Sequence, residues 1–311
     1  MGGAGRVLVV ASNPLLAVTV GRRSDAAGDT LAVQAAGQGV WTARMAALLG
    51  AGVTLCGLAG GPLARLLPPL LADEAVKVRL VPSEAGTGGY VHDRRHGSVA
   101  SLAVAWADAP TASDVVALVA ATAAAARDAD VVVVGNAMPG DLLPPGAYPR
   151  LVTAAREAGA RVVVDLSSPR LDAALAARPD VVKLNDWELA ESVAGPVATA
   201  QQRRDAVARL VDLGASAVVL TRGAGTVLAT HPGEARLEIV PPPLADGDPA
   251  GCGDSLTGAL AAALAAGWPW PDAVRTAVAA GAAHYRRDAV PPDPRGIEQL
   301  AAAVRVLPDL G

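Results

Sequence analysis

Asp248-Pro249-Ala250-Gly251-Cys252-Gly253-Asp254-Ser255, followed by Leu256-Thr257-Gly258-Ala259-Leu260-Ala261-Ala262-Ala263-Leu264, is the stretch that organises the chain. Its first half carries a proline and two glycines and cannot be regular strand or helix. Its second half is small and apolar at helical spacing up to the break at Gly267-Trp268-Pro269. A Gly-rich turn therefore runs straight into the N-terminus of a buried helix. Such a turn aims unpaired backbone N–H groups and the positive end of the helix dipole at one point, which suits an anion, typically phosphate. Asp254 is then either a helix cap or a carboxylate placed to take a proton from an attacking hydroxyl. Loop chemistry alone leaves both open.

With 311 residues and 52% hydrophobic side chains, the chain can bury a sizeable core, built from Ala, Val and Leu with no Phe. A net charge of −4 argues against a nucleic-acid surface. Cys56 and Cys252 lie far apart and outside any metal-like spacing, so free thiols in a reducing cytoplasm are expected. The apolar run Arg6–Ala11 is broken at once by Ser12-Asn13-Pro14 and reads as a buried first strand, not a signal segment. No stretch reaches the ~18 apolar residues of a membrane span. The expectation is a cytoplasmic protein with neither nucleic acid nor membrane as partner.

The first strand opens at Asn13-Pro14, the strand end where α/β sheets place ligands. Exposed strands are expected between Gly21 and Gln38, and Gly37-Gln38-Gly39 leads into a helix over Val40–Gly50. A second core strand follows at Val53–Gly60, then a helix at 63–75 and a strand at 77–81. Gly86–Ala105 reads as a hairpin whose charged turn, with His92, Arg94, Arg95 and His96, is solvated or, if a lid folds over, supplies charge to the acceptor. A helix at 112–126, a buried strand at Asp130–Asn136, a helix at Tyr148–Ala158, a strand at Ala160–Asp165 and a helix at 170–177 continue in βαβ rhythm. The pattern implies a parallel sheet covered on both faces. The strand Asp180–Asn185 puts Lys183, Asn185 and, one turn on, Glu188 together. That trio suits a triphosphate with hydrated Mg²⁺, or a helix start capped by Asn185 and Glu188. Another strand at 216–220 ends in Thr221-Arg222-Gly223-Ala224-Gly225-Thr226.

Asp248-x-x-Gly251-x-Gly253-Asp254 before an Ala/Gly-rich helix resembles the signature of the PfkB (ribokinase-like) carbohydrate kinases, and Ser255 resembles their 1-phosphofructokinase and tagatose-6-phosphate kinase branch. Lys183-Leu184-Asn185-Asp186-Trp187-Glu188 is similar to the family's Lys-Pro-Asn-x-x-Glu. Gly37-Gln38-Gly39-Val40-Trp41-Thr42-Ala43-Arg44 resembles its sugar-binding Gly-Lys-Gly-x-Asn-x-Ala-Arg. Weaker similarities lie at Gly135-Asn136-Ala137-Met138-Pro139 and Asp165-Leu166-Ser167-Ser168.

The resemblance implies one doubly wound, mostly parallel α/β domain over residues 1–311, with a small β lid from about 12–36 and 86–108. It implies an ATP-dependent kinase acting on a hydroxyl of a sugar or sugar phosphate. Asp254 would be the general base and the amides of Gly251, Cys252 and Gly253 the anion hole. Lys183, Asn185 and Glu188 would order the triphosphate, with Asn185 and Glu188 reaching Mg²⁺ through water. Thr221, Gly223 and Gly225 would line ATP, and Asn13, Gly37, Gln38, Gly39 and Trp41 would face the acceptor. The lid strands imply a homodimer, and a monovalent cation near Asp248 is left open. Ala17, Gln38 and Trp41 stand where the family has a sugar-gripping Asp, a Lys and an Asn. The expected acceptor is therefore not plain fructose 1-phosphate. A nucleoside or specialised metabolite, or an idle sugar- or nucleotide-binding regulator, stays open as an alternative. His284 falls on the flank that contacts adenine in the family, and a structural histidine fits there equally.

Overall fold

The computed structural model describes residues 5–23, 28–72, 74–96, 99–136, 142–193, 195, 197–244, 247–285 and 292–307. In chain order its strands are β1 (Arg6–Val10), β2 (Leu15–Arg22), β3 (Asp29–Ala36), β4 (Gly52–Ala59), β5 (Val76–Pro82), β6 (Gly89–Asp93), β7 (Ala100–Ala105), β8 (Val131–Gly135), β9 (Arg161–Asp165), β10 (Val181–Asn185), β11 (Ala217–Thr221), β12 (Val227–Thr230), β13 (Leu237–Val240) and β14 (Arg305–Leu307). The helices are α1 (Gln38–Leu48), α2 (Gly61–Ala64), α3 (Leu67–Ala72), α4 (Ala112–Ala126), α5 (Ala147–Glu157), α6 (Arg170–Leu175), α7 (Asp186–Ala190), α8 (Ala200–Asp212), α9 (Cys252–Ala265), α10 (Trp270–Tyr285) and α11 (Pro294–Ala303).

One sheet has the order β14-β13-β12-β11-β10-β9-β8-β1-β4-β5. From β11 to β5 every pairing is parallel, and β12, β13 and β14 form an antiparallel edge. The central strands are unbroken aliphatic runs because both faces are covered. Val7 and Val9 point into a cluster with Ala43, Leu260, Val274 and Ile297 of α1, α9, α10 and α11. Leu8 and Val10 point the other way, against Leu118, Leu151, Leu171 and Leu210 of α4, α5, α6 and α8. The winding reverses at β1, which lies between β4 and β8. The loops after β1 and β8 diverge there, and this is where an open α/β sheet forms a ligand crevice.

A separate sheet, β3-β2-β6-β7, forms the expected lid over its own small cluster of Leu15, Ala17, Ala36 and Tyr90. Its charged turn is more than a solvated loop. Arg95 forks onto Asp93 at 2.7 Å and reaches Asp29 at 2.8 Å, tying the end of β6 to the start of β3.

Other expectations shift in detail. The helix expected over 63–75 is two short helices, α2 and α3, split at Arg65-Leu66 ahead of Pro68-Pro69. Pro68 and Pro69 lack the N–H groups a continuous helix would use there. Helix α10 begins at Trp270, directly after the Gly267-Trp268-Pro269 break. Among the described residues no helix is long and apolar enough to cross a membrane.

Helices α9 and α1 approach so closely that a Cβ at Gly258 would lie 2.3 Å from the Thr42 carbonyl oxygen. Gly258→Ala must push the two helices apart, and overpacking of this kind costs roughly 1–3 kcal/mol. We expect a lower urea midpoint with an unchanged slope; an unchanged midpoint would mean that the helices separate freely.

Candidate active site

The turn before α9 is built from its glycines. Gly251 is the helix N-cap at φ 80, a left-handed conformation that disfavours side chains, and no side chain caps the helix. Asp254 lies three residues inside, so the capping alternative is excluded. Asp248 instead holds the loop, its carboxylate accepting from Ala250 N–H at 3.0 Å. The Cys252 N–H donates to the Pro249 carbonyl at 3.2 Å. That is a correction to the three-amide hole: Cys252 is engaged in the turn, and the expected anion donors reduce to Gly251 and Gly253, with the Asp254 N–H also in the unpaired first turn.

Lys183 is only 4% exposed, and its ammonium sits 3.1 and 3.2 Å from the two carboxylate oxygens of Asp165. It is packed beneath the first turn of α9, where a Cβ on Gly253 would come within 2.7 Å of Nζ. The expected role of Lys183, an ammonium reaching out to a triphosphate, gives way to an internal counter-ion. Burial disfavours its charge, but the fields of Asp165, Glu188 and Asp254 outweigh this and hold its pKa above the usual value. Asp254 feels the converse. Burial, then Asp165, pushes its carboxyl up to about 7, opposed by Lys183 and by a hydrogen bond from Gln38. Burial also raises Glu188, against the pull of Lys183. Three carboxylates thus share one lysine. This excess of negative charge beside free amides fits a site completed by a divalent cation and phosphate.

Asn185 and Glu188 form a reciprocal capping box on α7, Asn185 Oδ1 accepting from Glu188 N–H at 3.0 Å and Glu188 Oε2 from Asn185 N–H at 2.8 Å. The capping reading therefore holds for these contacts, leaving Glu188 Oε1 and the Asn185 amide nitrogen for anything else. Thr221 stands in register beside Asn185. Gly223 takes φ 54, Gly225 N–H closes a turn on Arg222 O at 2.8 Å, and Arg222 ties this loop to α7 through Asp186 at 3.0 Å. Strand-end order thus puts the expected nucleotide loop next to the Lys183–Glu188 segment.

At the sheet's reversal point a narrow cleft is lined by Ser12, Asn13, Gly37, Gln38, Gly39 and Asn136, among others. Ser12 Oγ and Gln38 Oε1 are buried there without a partner among the described residues. Four of the five expected acceptor residues converge. Trp41 does not line the pocket; its ring meets His284 edge-on at 5.5 Å and is covered by the Arg44 guanidinium at 4.6 Å.

Thr257 was missed as a site residue, and Asp165, quoted only within a weak similarity, was given no role. Asp165 is 1% exposed and accepts from Thr257 Oγ1 at 2.6 Å as well as from Lys183. A lone Asp ending the aliphatic run Val162-Val163-Val164 was the available signal. Residues 137–139, part of one weak similarity, lie outside the described residues.

The sequence model described as pfkB family carbohydrate kinase matches residues 9–289. The 1-phosphofructokinase of Rhodobacter capsulatus is 31% identical, covering 97% of this chain and 96% of its own. The ATP-dependent 6-phosphofructokinase isozyme 2 of Escherichia coli K12 is 31% identical over 79% of this chain and 80% of its own. A crystal structure of Escherichia coli phosphofructokinase-2 in complex with potassium superposes with a TM-score of 0.82 at 26% identity, covering 96% and 98% of the two chains.

A carboxyl raised to about 7 withdraws stability as pH rises from its unfolded value, near ~4, to its folded value, and none further above that. Asp254→Asn should therefore melt a few degrees higher than the unaltered protein at pH 8. The gap should close progressively toward pH 4. A constant gap across that range would mean that Asp254 is not held protonated by its surroundings.

Proposed function

Since the chain belongs to the pfkB family of carbohydrate kinases, whose members use ATP and Mg²⁺, we propose that it transfers the γ-phosphoryl group of ATP to a hydroxyl of a sugar or sugar phosphate. The observation that carries this reading is the Asp254 carboxyl at the mouth of the Gly251–Gly253 turn, raised by burial into the range where a base works at neutral pH. When bound, Mg-ATP supplies the phosphoryl group and offsets its charge. Asp254 takes the proton of the acceptor hydroxyl. The Gly251 and Gly253 N–H groups donate to the transferred group as charge develops on it, from a rigid turn that need not reorganise. Lys183 keeps the carboxylate cluster from repelling the incoming phosphates. Asn185 and Glu188, through the groups their cap leaves free, would meet the metal's water shell, and Thr221, Gly223 and Gly225 would face the nucleotide.

Asn13, Gly37, Gln38 and Gly39 would hold the acceptor. Ser12 Oγ and Gln38 Oε1, without a partner among the described residues, support an acceptor that brings hydroxyl donors to them. Among the described residues this pocket has no cationic side chain, which favours as a second reading an acceptor uncharged at that end, such as a nucleoside or specialised metabolite. A homodimer through the lid is supported by apolar side chains left exposed on its edge strands: Leu31 and Val33 of β3, and Leu102 and Val104 of β7. A monovalent cation beside Asp248 would parallel the potassium in the Escherichia coli structure.

ADP release with Mg-ATP over a panel of sugars, sugar phosphates and nucleosides tests this reading. Turnover on one acceptor is expected, with Asp254→Asn slower by roughly 10²–10⁴ while ATP binding persists. In the unaltered enzyme the rate should fall tenfold per unit as pH drops below about 7, because the base must be ionised. Near-normal turnover in Asp254→Asn would remove Asp254 from the base role.

A further inference from the structure

The anion-hole turn is fastened from a side that the reaction itself does not use. Its foot rests on the C-terminal end of α10: Asp248 N–H donates to the Tyr285 carbonyl at 3.1 Å, and a Cβ on Gly247 would collide with that same oxygen. The His284 ring lies against the next step of the turn. A Cβ on Gly251 would come within 2.7 Å of its Nε2, and the Ala250 backbone beside it favours a proton on the ring. Burial holds the imidazole below its usual pKa, so at neutral pH it is an uncharged ring with one N–H to give. The ring is itself fixed, because Trp41 of α1 meets it edge-on at 5.5 Å. Trp41 is backed by Arg44 stacked at 4.6 Å, whose fork is locked on Glu74 at 2.6 and 2.7 Å. A chain of oriented contacts therefore runs from α1, which carries the acceptor residue Gln38, to the backbone of the turn.

We propose that His284 is a positioning residue for phosphoryl transfer. Braced by Trp41, it buttresses Gly251 and faces the Ala250 backbone, so that the first N–H of the anion hole stays aimed at the transferred group. This assigns His284 to the phosphate end of the site and not to the adenine, and it assigns Trp41 to bracing that histidine and not to gripping the acceptor. Gly251 is the pivot: glycine takes its left-handed φ of 80 without strain and as readily takes others, so the packed ring beside it is what fixes the aim of its N–H. Displacing an oriented donor by even a fraction of a hydrogen-bond length weakens its pull on charge that exists only during transfer, and leaves ground-state binding of the nucleotide nearly untouched.

The inference rests on the kinase reading, and its test needs no acceptor. Calorimetry would compare Mg-ADP with Mg-ADP plus aluminium fluoride, a mimic of the phosphoryl group in flight, for the full-length protein, His284→Ala, His284→Gln and Trp41→Leu. The unaltered protein should bind the mimic complex far more tightly than Mg-ADP alone. His284→Ala should lose ~10-fold or more of that gain, by comparison with the 10²–10³ seen on deleting a donor outright. Its Mg-ADP affinity should stay within about twofold and its melting temperature within a few degrees. His284→Gln, which keeps a side-chain N–H, should recover most of the gain, and Trp41→Leu should lose part of it. A full gain in His284→Ala would overturn the proposal, as would an equal loss of Mg-ADP affinity, which would make His284 a nucleotide contact. So would a His284→Gln no better than the alanine. No gain in the unaltered protein would instead overturn the kinase reading and this inference with it.

Discussion

Everything at this site depends on one buried ammonium. Lys183 lies under the start of α9, bound to Asp165 at about 3 Å and within the fields of Asp254 and Glu188. Removing a lone partner from such a pair leaves an uncompensated charge in the interior, which costs several kcal/mol. The geometry around it is correspondingly strict. The C-terminal ends of β9 and β10 must lie side by side, as their parallel register Lys183↔Asp165 ensures, and α9 must begin directly above them. Gly253 follows from this, since the space a side chain would need is filled by the lysine's own tip. One cation against three carboxylates leaves the site short of positive charge, and that shortage makes it receptive to a metal and protonates Asp254 more readily than an exposed aspartate.

The fold supplies this arrangement economically. Strand ends β1 and β8 open the crevice at the winding reversal and deliver Asn13 and Asn136 to one side, while β9, β10 and β11 deliver Asp165, Asn185 and Thr221 to the other. Helix α9 crosses between them with Asp254 at its tip. Gln38 joins the halves, because its amide donates to the carbonyl of Asp165 at 3.4 Å and draws the Asp254 pKa down, while its oxygen remains in the acceptor pocket. A residue there that carried a positive charge would pull the Asp254 pKa down, so the neutral glutamine also keeps the base's pKa in the neutral range.

The doubly wound sheet, its two covered faces and the lid were legible because they follow from local patterns, namely aliphatic runs, helical spacing and glycine stops. The Gly251–Asp254 turn was legible for the same reason: glycine spacing and helix onset are adjacent in the chain. Asp165 was not, since its role comes from Lys183 and Thr257, one strand and one helix away. Lys183 was placed in the right neighbourhood but with its tip outward, because spacing along a strand does not say whether a long side chain turns into the core. Asn185 and Glu188 satisfy a metal-site pattern and a capping pattern with the same spacing, and the capping contacts are the ones formed. Trp41 looked like an acceptor contact from its position on α1; only its pairing with His284, far along the chain, shows where the ring goes.

The most direct test of the central claim is the ionisation of Asp254 itself, followed by carbon-13 NMR of aspartate side-chain carboxyls with Asp254→Asn to assign the signal. A midpoint near 7 is expected, set by burial and by carboxylate neighbours that one lysine does not fully offset. A midpoint in the ordinary carboxylate range, near ~4, would mean that solvent reaches the cluster freely and that the charge argument built on Lys183 is wrong.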